Sequence, residues 1–397
     1  MHKEPHQYEK RVLLVVTGMS PQIVTETLYG LAIQQQPAFV PTEIHIITTE
    51  AGAGNAQNAL LNPDVGQFHQ FCKDYDFDIT FPENNIHVLV DANNIPLADI
   101  RTPADNECCA DFITDLVRKF TQNEAVALHV SMAGGRKTMG YYLGYALSLY
   151  GRDQDRLSHV LVPPNYESLR EFYYPTPYAK VINNREGQPF LDAADAEVSL
   201  ADIPFVSLRR SIPHSLLEGK TSFMRTIEAA KLIEQPLQLV IDFNAKKITA
   251  SGIDIEVSRA DFAIYAWLAM RNAKGLPPIQ LEKLAPCIDY AKDYLEFYQQ
   301  YIIGEMDSYD NLLIAFNFDL IDEQPEHELS GMKKEFIQDK LSRLKSAFVS
   351  ALGENLAERY LVKNIGNRPF SIYSLGLEQE QIELRFNEAT LHFTGYS

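Results

Sequence analysis

Two short segments gather residue types able to hold a phosphate. Thr17-Gly18-Met19-Ser20-Pro21-Gln22 sets a glycine and a hydroxyl between an apolar run and the next amphipathic stretch. Ser131-Met132-Ala133-Gly134-Gly135-Arg136-Lys137-Thr138-Met139 repeats the arrangement with two glycines and two cations. Glycine lets a backbone approach a ligand closely, and the free N–H groups of a helix start favour negative charge. Arg136 and Lys137 at such a start oppose the helix dipole, which a bound anion explains better than a merely solvated helix end. Ser20 has two readings. It caps the helix that follows, or it turns its hydroxyl toward a phosphate or ribose.

Other phosphate chemistries lose support. GxxxxGK[ST] is absent and no GxGxxG follows the first apolar run, so ordinary nucleotide hydrolysis and dinucleotide binding are disfavoured. Cys72, Cys108, Cys109 and Cys287 have neither CxxC spacing nor disulfide-scaffold density, so reduced thiols are expected, with no metal and no cofactor. Arg209 and His214 have the Arg-x4-His spacing of the HEPN ribonucleases, but Pro204 and Pro213 bracket them in what reads as extended chain.

The elements that position these motifs alternate. Strands are expected at residues 11–18, 43–49, 85–90, 125–131 and 157–162, with helices at 20–34, 55–61, 105–122 and 135–150. That alternation predicts a Rossmann-like α/β domain with a largely parallel sheet. Seven prolines from Pro163 to Pro213 predict a β-rich extension and a domain boundary near residue 220. Beyond it, a hairpin around Asn244-Ala245, a helix capped by Ser258, further helices, and a helix at 333–352 followed by strands at 360–363 and 369–375 predict a mainly helical, winged-helix-like domain. Its basic residues, including Lys340, Arg343 and Lys363, are diluted by Glu335, Asp339, Glu354 and Glu358.

A net charge of −18 disfavours wrapping long nucleic acid but leaves room for a small anion in a local basic pocket. No apolar stretch approaches the roughly 20 residues that span a bilayer, and the N-terminal segment lacks the apolar core of a secretion signal, so a cytoplasmic protein is expected.

The segments TGMSPQIVTETLYGL and SMAGGRKTMGYYLGYALSLYG, with TTEAGAGNAQNALL between them, resemble the CRISPR-associated NE0113 family and its relatives among the CARF-domain ring nucleases. The resemblance covers about residues 10–215. It implies a CARF domain over residues 1–219, with 220–397 as the winged-helix-like part, and a homodimer whose two-fold axis passes through a pocket for a cyclic oligoadenylate, the four-membered ring being expected. It further implies metal-independent cleavage by the ligand's own 2′-hydroxyl, giving a linear product with a 2′,3′-cyclic phosphate and switching off type III CRISPR signalling. Ser20 and Lys137 match the family's serine and lysine, and Arg136 joins them in stabilising charge. Gly18, Met19, Met132, Ala133, Gly134, Gly135 and Thr138 are expected as ligand contacts in the two loops, with Gln22, Glu50, Asn55 and Ser131 reaching adenine edges or ribose hydroxyls. The alternatives are a regulator that binds the messenger and DNA, and a messenger-activated ribonuclease using Arg209 and His214.

Overall fold

The computed structural model describes all residues except 1–2, 168, 184–189, 220, 283–284, 303–305, 317–330, 387–388 and 393–397. The chain divides into two compact units, residues 1–209 with 216–227, and residues 210–215 with 228–397. Residue 220, where the sequence suggests a boundary, lies outside the described residues.

In the first unit, β1 (Lys10–Val16) is buried on both faces from Val12 onward, as a central strand of a covered parallel sheet must be. There follow α1 (Gln22–Tyr29), β2 (Glu43–Thr48), α2 (Glu50–Ala56), α3 (Gln67–Tyr75), β3 (Ile86–Val88), α4 (Pro103–Gln122), β4 (Val126–Ser131), α5 (Lys137–Tyr150) and β5 (Arg156–Leu161). The proline-rich stretch then forms the short α6 (Pro164–Glu167), the two-residue strands β6 (Val181–Ile182) and β7 (Leu191–Asp192), and β8 (Ser199–Asp202). The main sheet runs β3-β2-β1-β4-β5-β8, parallel throughout except for β8, which is antiparallel to β5. Strand order reverses between β1 and β4. In such a sheet the crevice for a ligand opens at that point, outside the carboxyl ends of the strands.

The expected Rossmann-like α/β pattern is present, with four local differences, the first being helix α3, where no element was expected. Helix α1 begins at Gln22 with Pro21 as its N-cap and no side-chain cap, so Ser20 does not cap it. The reason is the Thr17 hydroxyl, which donates to the Ser20 carbonyl (2.9 Å) and folds residues 17–20 into a turn of their own. Helix α2 starts at Glu50, well before residue 55, because Thr49 accepts the Gly52 N–H and caps it there. The stretch after β5 is mostly irregular rather than β-rich, its strands being two to four residues long between prolines.

Helices α7 (His214–Glu218) and α8 (Phe223–Lys231) come next in the chain. The second unit then contains β9 (Leu239–Asp242), β10 (Lys247–Ala250), β11 (Ile253–Ile255), α9 (Arg259–Ala273), β12 (Ile279–Glu282), α10 (Ile288–Tyr301), α11 (Met306–Ala315), α12 (Lys334–Leu352), α13 (Glu354–Ala357), β13 (Val362–Asn364), β14 (Phe370–Leu375), β15 (Ile382–Phe386) and β16 (Ala389–His392). The expected hairpin is β9–β10, and Ser258 caps α9 through the Asp261 N–H (3.2 Å). Helix α9 is apolar nearly all round and carries Phe262, Tyr265 and Trp267 into the core, as a helix covered on every side should. The β13–β14 hairpin follows α12 and α13 as expected, and β12 pairs with the other edge of β14, a partner the sequence did not suggest.

Candidate functional site

The loops after β1 and β4 meet. A Cβ on Gly134 would lie 2.7 Å from the Val16 carbonyl oxygen and 3.2 Å from the Thr17 Cα, so only glycine fits there without displacing backbone. Gly135 adopts φ +74°, a left-handed conformation that also favours glycine, and its Cα faces Gly18 across the contact. Asn55, on α2, donates its side-chain N–H to the Met19 carbonyl (3.1 Å) and pins the first loop from the other side. Met19 and Ser20 are left exposed at the tip.

The two adjacent cations behave differently. Arg136 is the N-cap residue of α5, and its guanidinium makes a two-pronged pair with Asp99, through Nε at 2.9 Å and through Nη2. Hydrogen bonds from Arg136 first, then from Arg101, hold the Asp99 carboxyl well below the usual carboxylate range. Lys137 is the first residue of α5, is exposed, and has no ion-pair partner among the described residues. A flexible ammonium beside a helix start is thereby left for an external anion. Thr138 is exposed on the same turn.

Beside these loops lies a cavity of about 490 Å³, lined by Ser20, Gln22, Ile23 and Glu26 from the β1 side, by Ala133, and by the end of β5 with the segment after it, including His159, Glu167 and Arg170. Its size is that of a small-ligand site, generally about 300–1,000 Å³. The outer wall is tied down by two bonds, from the Thr25 hydroxyl to the Tyr173 carbonyl (2.7 Å) and from the Gln22 amide to the Arg170 carbonyl (3.3 Å). Glu26 is only 7% exposed. Burial, reinforced by the nearby Glu167 charge, pushes its carboxyl up to about 8, so at neutral pH it is mostly protonated.

Of the residues expected from sequence, Ser20, Gln22 and Ala133 therefore share the cavity, while Gly18, Gly134 and Gly135 form the contact between loops. Ser131 is fully buried with its hydroxyl against that of Thr27 (3.1 Å), an interior position rather than a loop surface. Met132 is half-buried and hydrogen-bonded through its N–H to the Ser158 carbonyl (3.1 Å). Glu50 is exposed at the start of α2. Arg209 donates to the Tyr150 carbonyl (2.9 Å) and pairs with Glu124 (3.6 Å) in a short 3-10 turn, so the Arg-x4-His spacing does not lie on one helix.

Sequence reasoning missed Glu26, Asp99, His159, Glu167 and Arg170. Only Glu26 left a signal, a carboxylate between the apolar Val24 and Leu28 at helical spacing from Gln22 and Ile23.

An open, mostly parallel sheet with two glycine loops at its switch point defines a Rossmann-like α/β protein. Residues 20–236, over half of the chain, match the family described as CRISPR-associated protein NE0113, and the chain belongs to that family. Among solved structures, Enterococcus italicus Csm6 bound to cyclic hexa-2′-fluoro-hexa-dAMP is similar over 85% of this chain and 78% of that one, at 12% identity and a TM-score of 0.30. No curated protein matches.

Proposed function

We propose that this protein binds a cyclic oligoadenylate at the paired loops and cleaves it, ending a type III CRISPR signal. The observation that carries the reading is an exposed Ser20 that does not cap α1 and a Lys137 with no ion-pair partner among the described residues, on loops in direct contact, within a CRISPR-associated family. In the reaction, a ribose 2′-oxygen attacks the adjacent phosphorus, the P–O5′ bond breaks, and the hydroxyl proton leaves as the 5′-oxygen gains one. The nucleophile belongs to the ligand, so the protein's work is alignment and charge stabilisation. Lys137 and the N–H groups at the start of α5 face the charge growing on phosphate oxygens, and the Ser20 hydroxyl orients the reacting ribose. Two protomers sharing one two-fold axis would present both loop pairs to a symmetric ring, the four-membered ring being the first choice.

The test is incubation of the purified protein in EDTA with labelled cyclic tetra-adenylate and cyclic hexa-adenylate, with products resolved over time. Linear fragments ending in a 2′,3′-cyclic phosphate are expected from one ring. Tight binding with the ring intact overturns the cleavage step and leaves a sensor.

One feature favours a second reading. In the second unit α9, β12, α10 and α12 precede the β13–β14 hairpin, with α11 between α10 and α12 and α13 after α12, and β12 and β13 flank β14, which supports a winged-helix reading, a fold that reads DNA in many regulators. Here, though, Arg343 on α12 pairs with Asp261 (2.9 Å) and Lys340 lies over the Phe336 ring (3.7 Å), so two of the cations on α12 are already engaged within the fold. A regulator would bind duplex DNA with steep salt dependence and respond to the cyclic ligand.

A further inference from the structure

The pair between Arg136 and Asp99 ties up a cation at the ligand loops, and the surroundings show which partner is fixed. Asp99 lies on the segment between β3 and α4. Before it, the Leu97 N–H donates to the Leu89 carbonyl (2.8 Å), and the Leu97 carbonyl accepts the Glu50 N–H at the start of α2 (2.9 Å). After it, Thr102 caps α4 in a capping box with Asp105, whose carboxylate also accepts the Arg101 backbone N–H (3.0 Å). A backbone anchored on both sides has little room to withdraw its carboxylate.

That carboxylate is well supplied with donors. Arg136 gives Nε to one oxygen (2.9 Å) and Nη2 to the other, the Ile100 N–H donates to the first (2.9 Å), and Arg101 Nε donates to the second (3.2 Å). Asp99 is the only partner of the Arg136 guanidinium among the described residues, and that side chain is 59% exposed. A carboxylate and a phosphodiester present the same pair of oxygens to the guanidinium fork, so the two compete for it. Freed from Asp99, Arg136 could reach a phosphate bound beside Lys137, the next residue in the chain.

Opening the ring conserves the charge of the ligand. One phosphodiester becomes a 2′,3′-cyclic phosphodiester, and every phosphorus keeps one negative charge. A cation on a phosphate that does not react therefore holds ring, transition state and linear product alike. Such uniform binding raises affinity without speeding the chemical step, and it slows departure of the product.

We propose that Asp99 is a positioning residue that withholds Arg136 from the ligand's phosphates, leaving Lys137 as the cation at the reacting centre and keeping affinity low enough for the linear product to leave. The inference rests on the reading that the protein cleaves a cyclic oligoadenylate, and it assigns the carboxylate that sets how tightly ring and product are held. Asp99 acts in two separable ways: its own charge repels the ligand, and its pairing occupies Arg136. Only the second effect vanishes when Arg136 is absent.

The experiment compares the full chain with Asp99→Asn, Asp99→Ser, Arg136→Ala and the double variant Asp99→Asn/Arg136→Ala. The binding probes are the 2′-fluoro forms of cyclic tetra-adenylate and cyclic hexa-adenylate, which lack the nucleophile, and the matching linear adenylates ending in a 2′,3′-cyclic phosphate. Rates are read with the cleavable rings under single and multiple turnover. Both Asp99 variants are expected to bind ring and linear product about tenfold tighter, as one added charge-assisted contact would give, with a steeper loss of affinity as salt rises. Their single-turnover rate should move by about threefold or less while multiple turnover slows by about tenfold. In the Arg136→Ala background the Asp99 change should alter affinity by less than about threefold. Affinity unchanged or weaker in both Asp99 variants, with circular dichroism showing them folded, overturns the proposal, as does a gain that persists in full without Arg136; either result leaves the proposed function standing. A ring bound but left intact by every protein overturns the cleavage reading and the product-release role with it. Absence of binding to any probe in the wild type and every folded variant overturns both.

Discussion

Arg136 and Lys137 are neighbours of like charge, and apart from the family resemblance, which singles out Lys137, their residue types give no reason to rank them. The ion pair with Asp99 does: Arg136 must leave a well-aligned carboxylate to reach a ligand, whereas Lys137 loses only water. Lys137→Ala should therefore lower the single-turnover rate of ring cleavage by about 10²–10³-fold, the usual effect of removing one group that stabilises transition-state charge. Arg136→Ala should lower it by about tenfold or less, with Ser20→Ala between the two. A loss in Arg136→Ala as large as in Lys137→Ala would mean that the arginine swings off Asp99 in the complex, and would reverse the two roles.

The elements fix how close the loops come. In Gly134→Ala the new Cβ would press on the Val16 carbonyl oxygen and the Thr17 Cα, backbone atoms that have no rotamer to escape into. The strand end must shift, at a cost of about 1–3 kcal/mol. Both the melting temperature and ring binding should fall; a variant that binds normally would show that the loop contact is not part of the site. The alternation that builds this switch point was legible because buried parallel strands are written as unbroken apolar runs, such as residues 12–16. The site was legible only in part. The Ser20-Pro21 pair looks like a helix start, and the Thr17 hydroxyl that reassigns it is a local competitor that composition does not rank. Helix α3 was missed because only Phe68 and Phe71 of its nine residues are buried, too few to show a period. Asp99, Glu167 and Arg170 act through contacts tens of residues away in sequence, which no local pattern encodes.

For the molecule as a whole, buried groups of opposite kinds limit stability from both sides of neutrality. His129 is fully enclosed, with its Nε2 against the Ser158 hydroxyl (2.7 Å), and burial, with a smaller push from Arg156, brings it down to about 3. His87 is brought down to about 4 by burial and then by His45 and Lys119. Both stay neutral in the fold while the unfolded chain takes up protons below about 6.5, so their contribution is complete above that pH and is lost as pH falls toward 4. Glu26 works in the opposite direction. The unfolded carboxyl ionises near 4.5 but the folded one only near 8, so stability declines between those values and stays reduced above, by on the order of a few kcal/mol. The net charge of −18 adds self-repulsion on the same alkaline side. Melting temperature should therefore peak on the mildly acid side of neutrality and fall in both directions. Glu26→Gln isolates one limb: it should match the wild type near pH 4.5, gain on it steadily up to about pH 8, and hold a constant lead beyond. Parallel curves for the two proteins from pH 5 to 9 would show that Glu26 ionises freely in the fold.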